Sequence, residues 1–153
     1  MVKHIDHINI VVSDLERSVN FYTELLGLKE TRRARLTGDW IEAIVGLKGV
    51  VADVVFLQPR GGGPRIELIK YHNPPGLAFP ENARPNTGGL RHIAFQIENM
   101  DELRARLEAE GVHFFGPPVQ VPGAVVEHDD GHKSLCYFLD PDGVLLELAA
   151  YVH

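Results

Sequence analysis

The chain is written twice, and that repeat restricts its possible folds more than any other feature. "HINIVVSDLERSVNFYTELLGL" from His7 and "HIAFQIENMDELRARLEAEGV" from His92 run in step. Each opens on His-Ile and continues as an alternating apolar strand. Each then reaches a polar turn, Ser13-Asp14 or Glu98-Asn99, where Asp14 and Asn99 suit a helix N-cap. A helical stripe follows, Leu15, Val19, Tyr22 and Leu26 in the first copy and Met100, Leu103 and Leu107 in the second. Each copy ends at a glycine, Gly27 or Gly111, at the place of a left-handed helix C-terminus. Further on, "PRIELIKY" (64 to 71) and "GVLLELAAY" (143 to 151) are both strand-like and both centre on Glu-Leu. Each half thus reads as strand, helix, then about three strands. The halves span about 1 to 73 and 88 to 153, joined by the Pro-, Gly- and Asn-rich segment 71 to 89.

The 153 residues suit one domain built of two modules. Cys136 is the single cysteine, so no internal disulfide framework exists. Its setting in "SLCYFL" suits a small buried hydrophobe. The net charge is −6 and the densest basic run is only "ETRRAR", which argues against nucleic-acid binding. No apolar run reaches the roughly 18 residues that span a bilayer. "MVKHIDH" lacks the apolar core of a signal peptide. A cytoplasmic protein with no membrane association is the expectation.

Strand alternation places four ionisable residues alike. His7 lies opposite Ile8, Ile10 and Val12, and His92 opposite Ile93, Phe95 and Ile97. Glu67 lies opposite Ile66 and Leu68, and Glu147 opposite Leu146 and Leu148. All four belong to the sheet face turned away from the helix that follows each first strand. If the sheets curl toward each other, two imidazoles and two carboxylates share one cavity. His7 and Glu67 lie 60 residues apart, and His92 and Glu147 lie 55 apart. A lone strand histidine or glutamate is ordinary; a His-then-Glu pair repeated at matched places is not. Such a mixed N/O set suits Ni, Co, Zn, Mn or Fe(II), and not a Cys-rich structural zinc.

These blocks, with "GLRHIAFQIENMDEL" and "YFLDPDGVLLEL", resemble the vicinal oxygen chelate superfamily, also called glyoxalase/bleomycin-resistance/dioxygenase. The resemblance implies an α+β fold of two βαβββ modules, whose curled, mainly antiparallel sheet surrounds a metal-binding cavity. It implies His7, Glu67, His92 and Glu147 as metal ligands, the set of bacterial-type glyoxalase I and close to that of methylmalonyl-CoA epimerase. It further implies a lyase or isomerase moving a proton beside the carbonyl of a small oxygenated substrate, with Glu67 or Glu147 as base. A homodimer is expected, because modules of this family pair within or between chains. The spacing of His128, Tyr137 and Glu147 is similar to that of extradiol ring-cleaving dioxygenases, with His7, His92 and Glu147 then holding Fe(II). A non-catalytic, ligand-sequestering resistance protein is a third reading. Trp40, His72, His128 and Tyr137 are candidates for the substrate pocket. Trp40 suits a pocket wall or the core equally, and exposure is the expectation for His128 and His132 in "EHDDGHK". Arg60 and Arg65 flank "GGG", but no strand–glycine loop–helix order supports a phosphate loop there.

Overall fold

A computed structural model describes residues 1–78, 83–123 and 132–152. The chain divides into two compact units, Met1–Ala78 and Phe79–His153. The first contains β1 (His7–Val11), α1 (Leu15–Asn20), β2 (Lys29–Thr37), α2 (Asp39–Val45), β3 (Val51–Gln58) and β4 (Arg65–Asn73). The second contains β5 (His92–Ile97), α3 (Met100–Ala109), β6 (Val119–Gln120), β7 (His132–Leu139) and β8 (Leu145–Val152). Each unit forms one four-stranded sheet, ordered β1-β4-β3-β2 and β5-β8-β7-β6. The first strand of each unit joins the last in parallel, and every other pairing is antiparallel. The expected α+β class of mainly antiparallel sheet is the observed one.

The helix after each first strand supplies the crossover that a parallel pairing needs; the strands that follow run as an antiparallel meander, and its last strand lies beside the first. The register sets Asn9 opposite Glu67 and Ala94 opposite Glu147. The helices begin as the sequence predicts: Asp14 accepts from the Arg17 amide at 3.0 Å, and Asn99 from the Glu102 amide at 3.1 Å. Gly27 and Gly111 both take positive φ, 75° and 78°, a backbone conformation that other residues adopt only with strain.

Two local features depart from the sequence reading. The first helix does not run straight to Gly27; it widens into a π-helical turn at Phe21–Leu25. The Leu26 amide reaches the Phe21 carbonyl at 3.3 Å, five residues back. The extra residue per turn rotates the stripe, so that Phe21 and Tyr22 are both buried while Leu15 and Leu26 are only partly so. The second feature is α2, between β2 and β3. "DWIEAIV" presents Ile41 and Val45 four residues apart, and Gly46 in the left-handed region stops the helix. Ile41 and Val45 pack with Val50, Ala52, Val54, Ile69, Phe56 and Tyr71. By alternation from the Phe56–Glu67 pair, Ala52, Val54, Ile69 and Tyr71 lie on the Glu67 face of the sheet. A helix therefore covers part of that face in the first unit, which the sequence reading left free of helix.

No helix among the described residues is long and apolar enough to cross a membrane. In the second unit Leu107 of α3 is completely buried, whereas Leu103 on the same stripe is only partly so. Leu107→Ala should lower stability by about 2–5 kcal/mol, and Leu103→Ala by clearly less. The difference is read from urea midpoints followed by circular dichroism.

Candidate functional site

Each half presents one imidazole against one carboxylate. His7 Nε2 lies 3.3 Å from Glu67 Oε2, and His92 Nε2 lies 3.4 Å from Glu147 Oε2. The parallel pairing accounts for this geometry. The glutamate pairs with the residue two places after the histidine, so the two side chains leave the same face one strand apart. Among the described residues no three His, Cys, Asp or Glu side chains form a ready-made cluster; the donors come as two pairs, one per unit.

The first pair is held by two residues that the repeat does not share. Asp6 Oδ2 lies 2.7 Å from His7 Nδ1. That hydrogen bond first, and Arg65 second, hold the Asp6 carboxyl below its usual range. An ionised Asp6 can only accept, so Nδ1 donates to it, and Nε2 is the ring nitrogen turned toward Glu67. Asn9 Nδ2 donates to Glu67 Oε2 at 3.0 Å. At the positions of Asp6 and Asn9 the second copy has Arg91 and Ala94.

The second pair has an aromatic companion. Tyr137 faces Glu147 across β7 and β8, and its ring centroid lies 5.1 Å from that of His92. Burial, reinforced by the Glu147 charge, pushes the Tyr137 phenol above its ordinary range. The matching position in the first unit is Phe56, opposite Glu67 and 5.9 Å from the His7 ring. Each carboxylate therefore stands between a histidine on one neighbouring strand and an aromatic ring on the other. The Glu147 side chain is 6% exposed and that of Glu67 is 16% exposed. Paired donors of this kind fit a divalent cation, because buried carboxylates beside imidazole nitrogens need a positive partner.

The remaining sequence candidates have other settings. Trp40, at the start of α2, is 56% exposed and lies outside the core cluster of that helix. His72 Nε2 bonds Asp53 Oδ2 at 2.8 Å, and Asp53 also accepts from Arg35 Nε and Nη2, each at 2.8 Å. Asp53 is three residues from Phe56 on β3 and so belongs to the face opposite Glu67. His128 lies outside the described residues. Cys136 is buried, 3.7 Å from the Met100 sulfur, and burial pushes its thiol up. Asp6, Asn9, Phe56 and Lys133 also border the two pairs, and the repeat marks none of them. Asp6 and Asn9 carry a legible signal, flanking His7 at the places next to it and on its own face; Phe56 and Lys133 carry none until register is known.

Comparison with known proteins settles the family. Residues 4–148 match the model of the Glyoxalase/Bleomycin resistance protein/Dioxygenase superfamily. The chain belongs to that superfamily. It is 31% identical to the Escherichia coli protein YaeR, covering 96% of this chain and 95% of that one. It is 27% identical to a 2-epi-5-epi-valiolone epimerase of Actinomyces, over 94% of this chain and 77% of the epimerase. A crystal structure of a glyoxalase family protein from Bacillus cereus has 28% identity and a TM-score of 0.85, covering 100% of this chain and 97% of the other. A shared superfamily fold hosts several chemistries, so the reaction depends on the site itself.

The Asp53 network makes a pH prediction. Hydrogen bonds from Arg35, then the neighbouring His72, hold the Asp53 carboxyl far below its usual range. A depressed folded value means that the stabilisation is complete above the unfolded value of about 4 and fades as pH falls through the folded value. Asp53→Asn should therefore be less stable than the parent at neutral pH, and the gap should narrow as pH drops below about 4. Urea denaturation across that pH range checks it.

Proposed function

We propose that this superfamily member is a divalent-metal-dependent lyase or isomerase, transferring a proton next to a carbonyl of a small oxygenated substrate. His7, Glu67, His92 and Glu147 are its metal ligands. The observation that carries the reading is the repeated imidazole–carboxylate contact, 3.3 Å in one half and 3.4 Å in the other. A single such contact is commonplace on a sheet; the same contact at equivalent positions of both copies is a donor set. Structures of this fold accommodate such ions: FosX of Listeria monocytogenes was crystallised with Mn(II). When bound, the cation supplies Lewis acidity to a carbonyl oxygen and favours ionisation at the neighbouring carbon.

The chain's own residues divide the remaining work. Glu67 is the base. Its side chain is the more exposed of the two carboxylates, and Asn9 Nδ2 is a neutral donor that steadies Oε2 without neutralising it. Glu147 is the anchor, buried in the apolar run of β8. Asp6 orients His7 through Nδ1 and leaves Nε2 for ligation. The apolar residues under α2 keep water from part of the Glu67 face, which favours proton transfer by a carboxylate over its solvation.

A second reading is an Fe(II) extradiol-type dioxygenase acting on a catechol-like ring. Tyr137 beside His92 and Glu147 is the observation in its favour, and a catechol-2,3-dioxygenase of Bacillus subtilis is among the relatives. Glu67 as a fourth donor argues for proton transfer instead. The partners we propose are a small-molecule substrate and a second copy of the chain. Light scattering should give a mass near twice the 17.0 kDa of one chain; a monomer mass at micromolar concentration would count against the dimer.

Metal occupancy tests the ligand set. His92→Ala should lose most of its Mn, Co, Ni or Zn in elemental analysis while keeping the parent's circular dichroism. Glu67→Gln should keep the metal and lose exchange of the substrate's α-proton with deuterated solvent, because an amide oxygen can ligate weakly but cannot take the proton. Exchange at the parent rate in that variant would move the base to Glu147. Strict dependence on Fe(II) with oxygen uptake would favour ring cleavage.

A further inference from the structure

One cation stands beside the carboxylate on each ligand-bearing face, and the two are held in different ways. In the first unit it is Arg65, two residues before Glu67 on β4. Its Nη2 lies 2.6 Å from Asp6 Oδ2, and its guanidinium lies 4.9 Å from the Phe56 ring centroid. In the second unit it is Lys133. Register sets Lys133 opposite Tyr151 and Tyr137 opposite Glu147, and alternation keeps all four on one face. Lys133 Nζ lies 3.9 Å from Glu147 Oε1 and 5.5 Å from the Tyr151 ring centroid. That is beyond hydrogen-bond reach, so the ammonium is kept near Glu147 by charge and by the ring rather than by a directional bond.

We propose that Lys133 is a specificity residue, which binds an acidic group of the substrate once Glu147 serves as a metal ligand. The inference rests on the function proposed above. Two carboxylates and one divalent cation sum to zero charge. Glu147 engaged with a cation no longer compensates Lys133, whose side chain is only 18% exposed. An ammonium in such a setting needs another anion. Among the described residues, Glu147 is the one carboxylate paired with it. Arg65 keeps Asp6 whatever engages Glu67, so its charge is already met. We assign that anion to the substrate. The substrate class becomes a small compound that carries a carboxylate or phosphate in addition to two neighbouring oxygens.

The test uses the Mn2+-loaded full chain and three related hydroxyketones: dihydroxyacetone, which is neutral, hydroxypyruvate, which carries a carboxylate, and dihydroxyacetone phosphate. Binding is measured by calorimetry, and Mn2+ uptake by electron paramagnetic resonance. The parent should bind at least one anion about tenfold or more tightly than the neutral compound, as a single charge-assisted contact would give. Whichever anion it is tells carboxylate from phosphate recognition. Lys133→Met should reduce that anion to about the level of dihydroxyacetone while leaving Mn2+ uptake and dihydroxyacetone binding as in the parent; Lys133→Arg should retain the preference. Absence of anion preference in the parent, or its survival in Lys133→Met, would overturn the assignment. So would loss of Mn2+ or of the neutral ligand in Lys133→Met, which would mark a structural role. A parent protein that takes up no Mn2+, Co2+, Ni2+ or Zn2+ would instead overturn the metal reading, and this inference with it.

Discussion

A carboxylate in the middle of a sheet face must be met by something positive or by hydrogen-bond donors, and in both halves of this protein the surroundings of a glutamate answer that demand. Glu147 sits among Leu145, Leu146 and Leu148, all fully buried. An unpartnered charge there would be costly. His92 from the parallel neighbour and Lys133 from the same face supply the partners. Glu67, less enclosed, meets the same demand with His7 and the neutral amide of Asn9.

The parallel pairing of first and last strands makes this possible. A histidine two residues upstream of the residue opposite the glutamate shares its face, so one register delivers the contact in both units. A slip by one residue would turn His7 or Glu67 to the face of Ile66 and Leu68, and His92 or Glu147 to the face of Ile93, Phe95, Leu146 and Leu148. The apolar partners that define that helix-covered face therefore protect the register on which the site depends. Core and site are two faces of one alternation.

The two copies have diverged around a common frame. Asp6, Asn9 and Phe56 surround the first pair where Arg91, Ala94 and Tyr137 occupy the matching places in the second. The first surroundings combine an anion that orients the imidazole with an amide that steadies the glutamate. The second offer a phenol and an ammonium. Such asymmetry gives two chemically similar imidazole–carboxylate pairs different surroundings, one beside a neutral amide and one beside an ammonium.

Much of this was present in the sequence because it is local. Period-two alternation, a cap residue before a stripe and a glycine after it depend on neighbouring residues, and so the two βα openings, the faces of His7, His92, Glu67 and Glu147, and the α+β class were all legible. The π turn at Phe21–Leu25 was not, because a straight stripe and a widened one differ only in how the packed core resolves Phe21 and Tyr22. Nor was α2 or its roofing of the Glu67 face, since a seven-residue helix with only Ile41 and Val45 as its stripe is decided by the sheet it packs on. Phe56 beside His7, Lys133 beside Glu147, and His72 bound to Asp53 on the opposite face came only from tertiary structure. Those neighbours are set by cross-strand register between distant segments, and a bulge of one residue, as between Val51 and Ala52, is enough to change them. Alternation determines which way a side chain points; only the assembled sheet decides what it meets there.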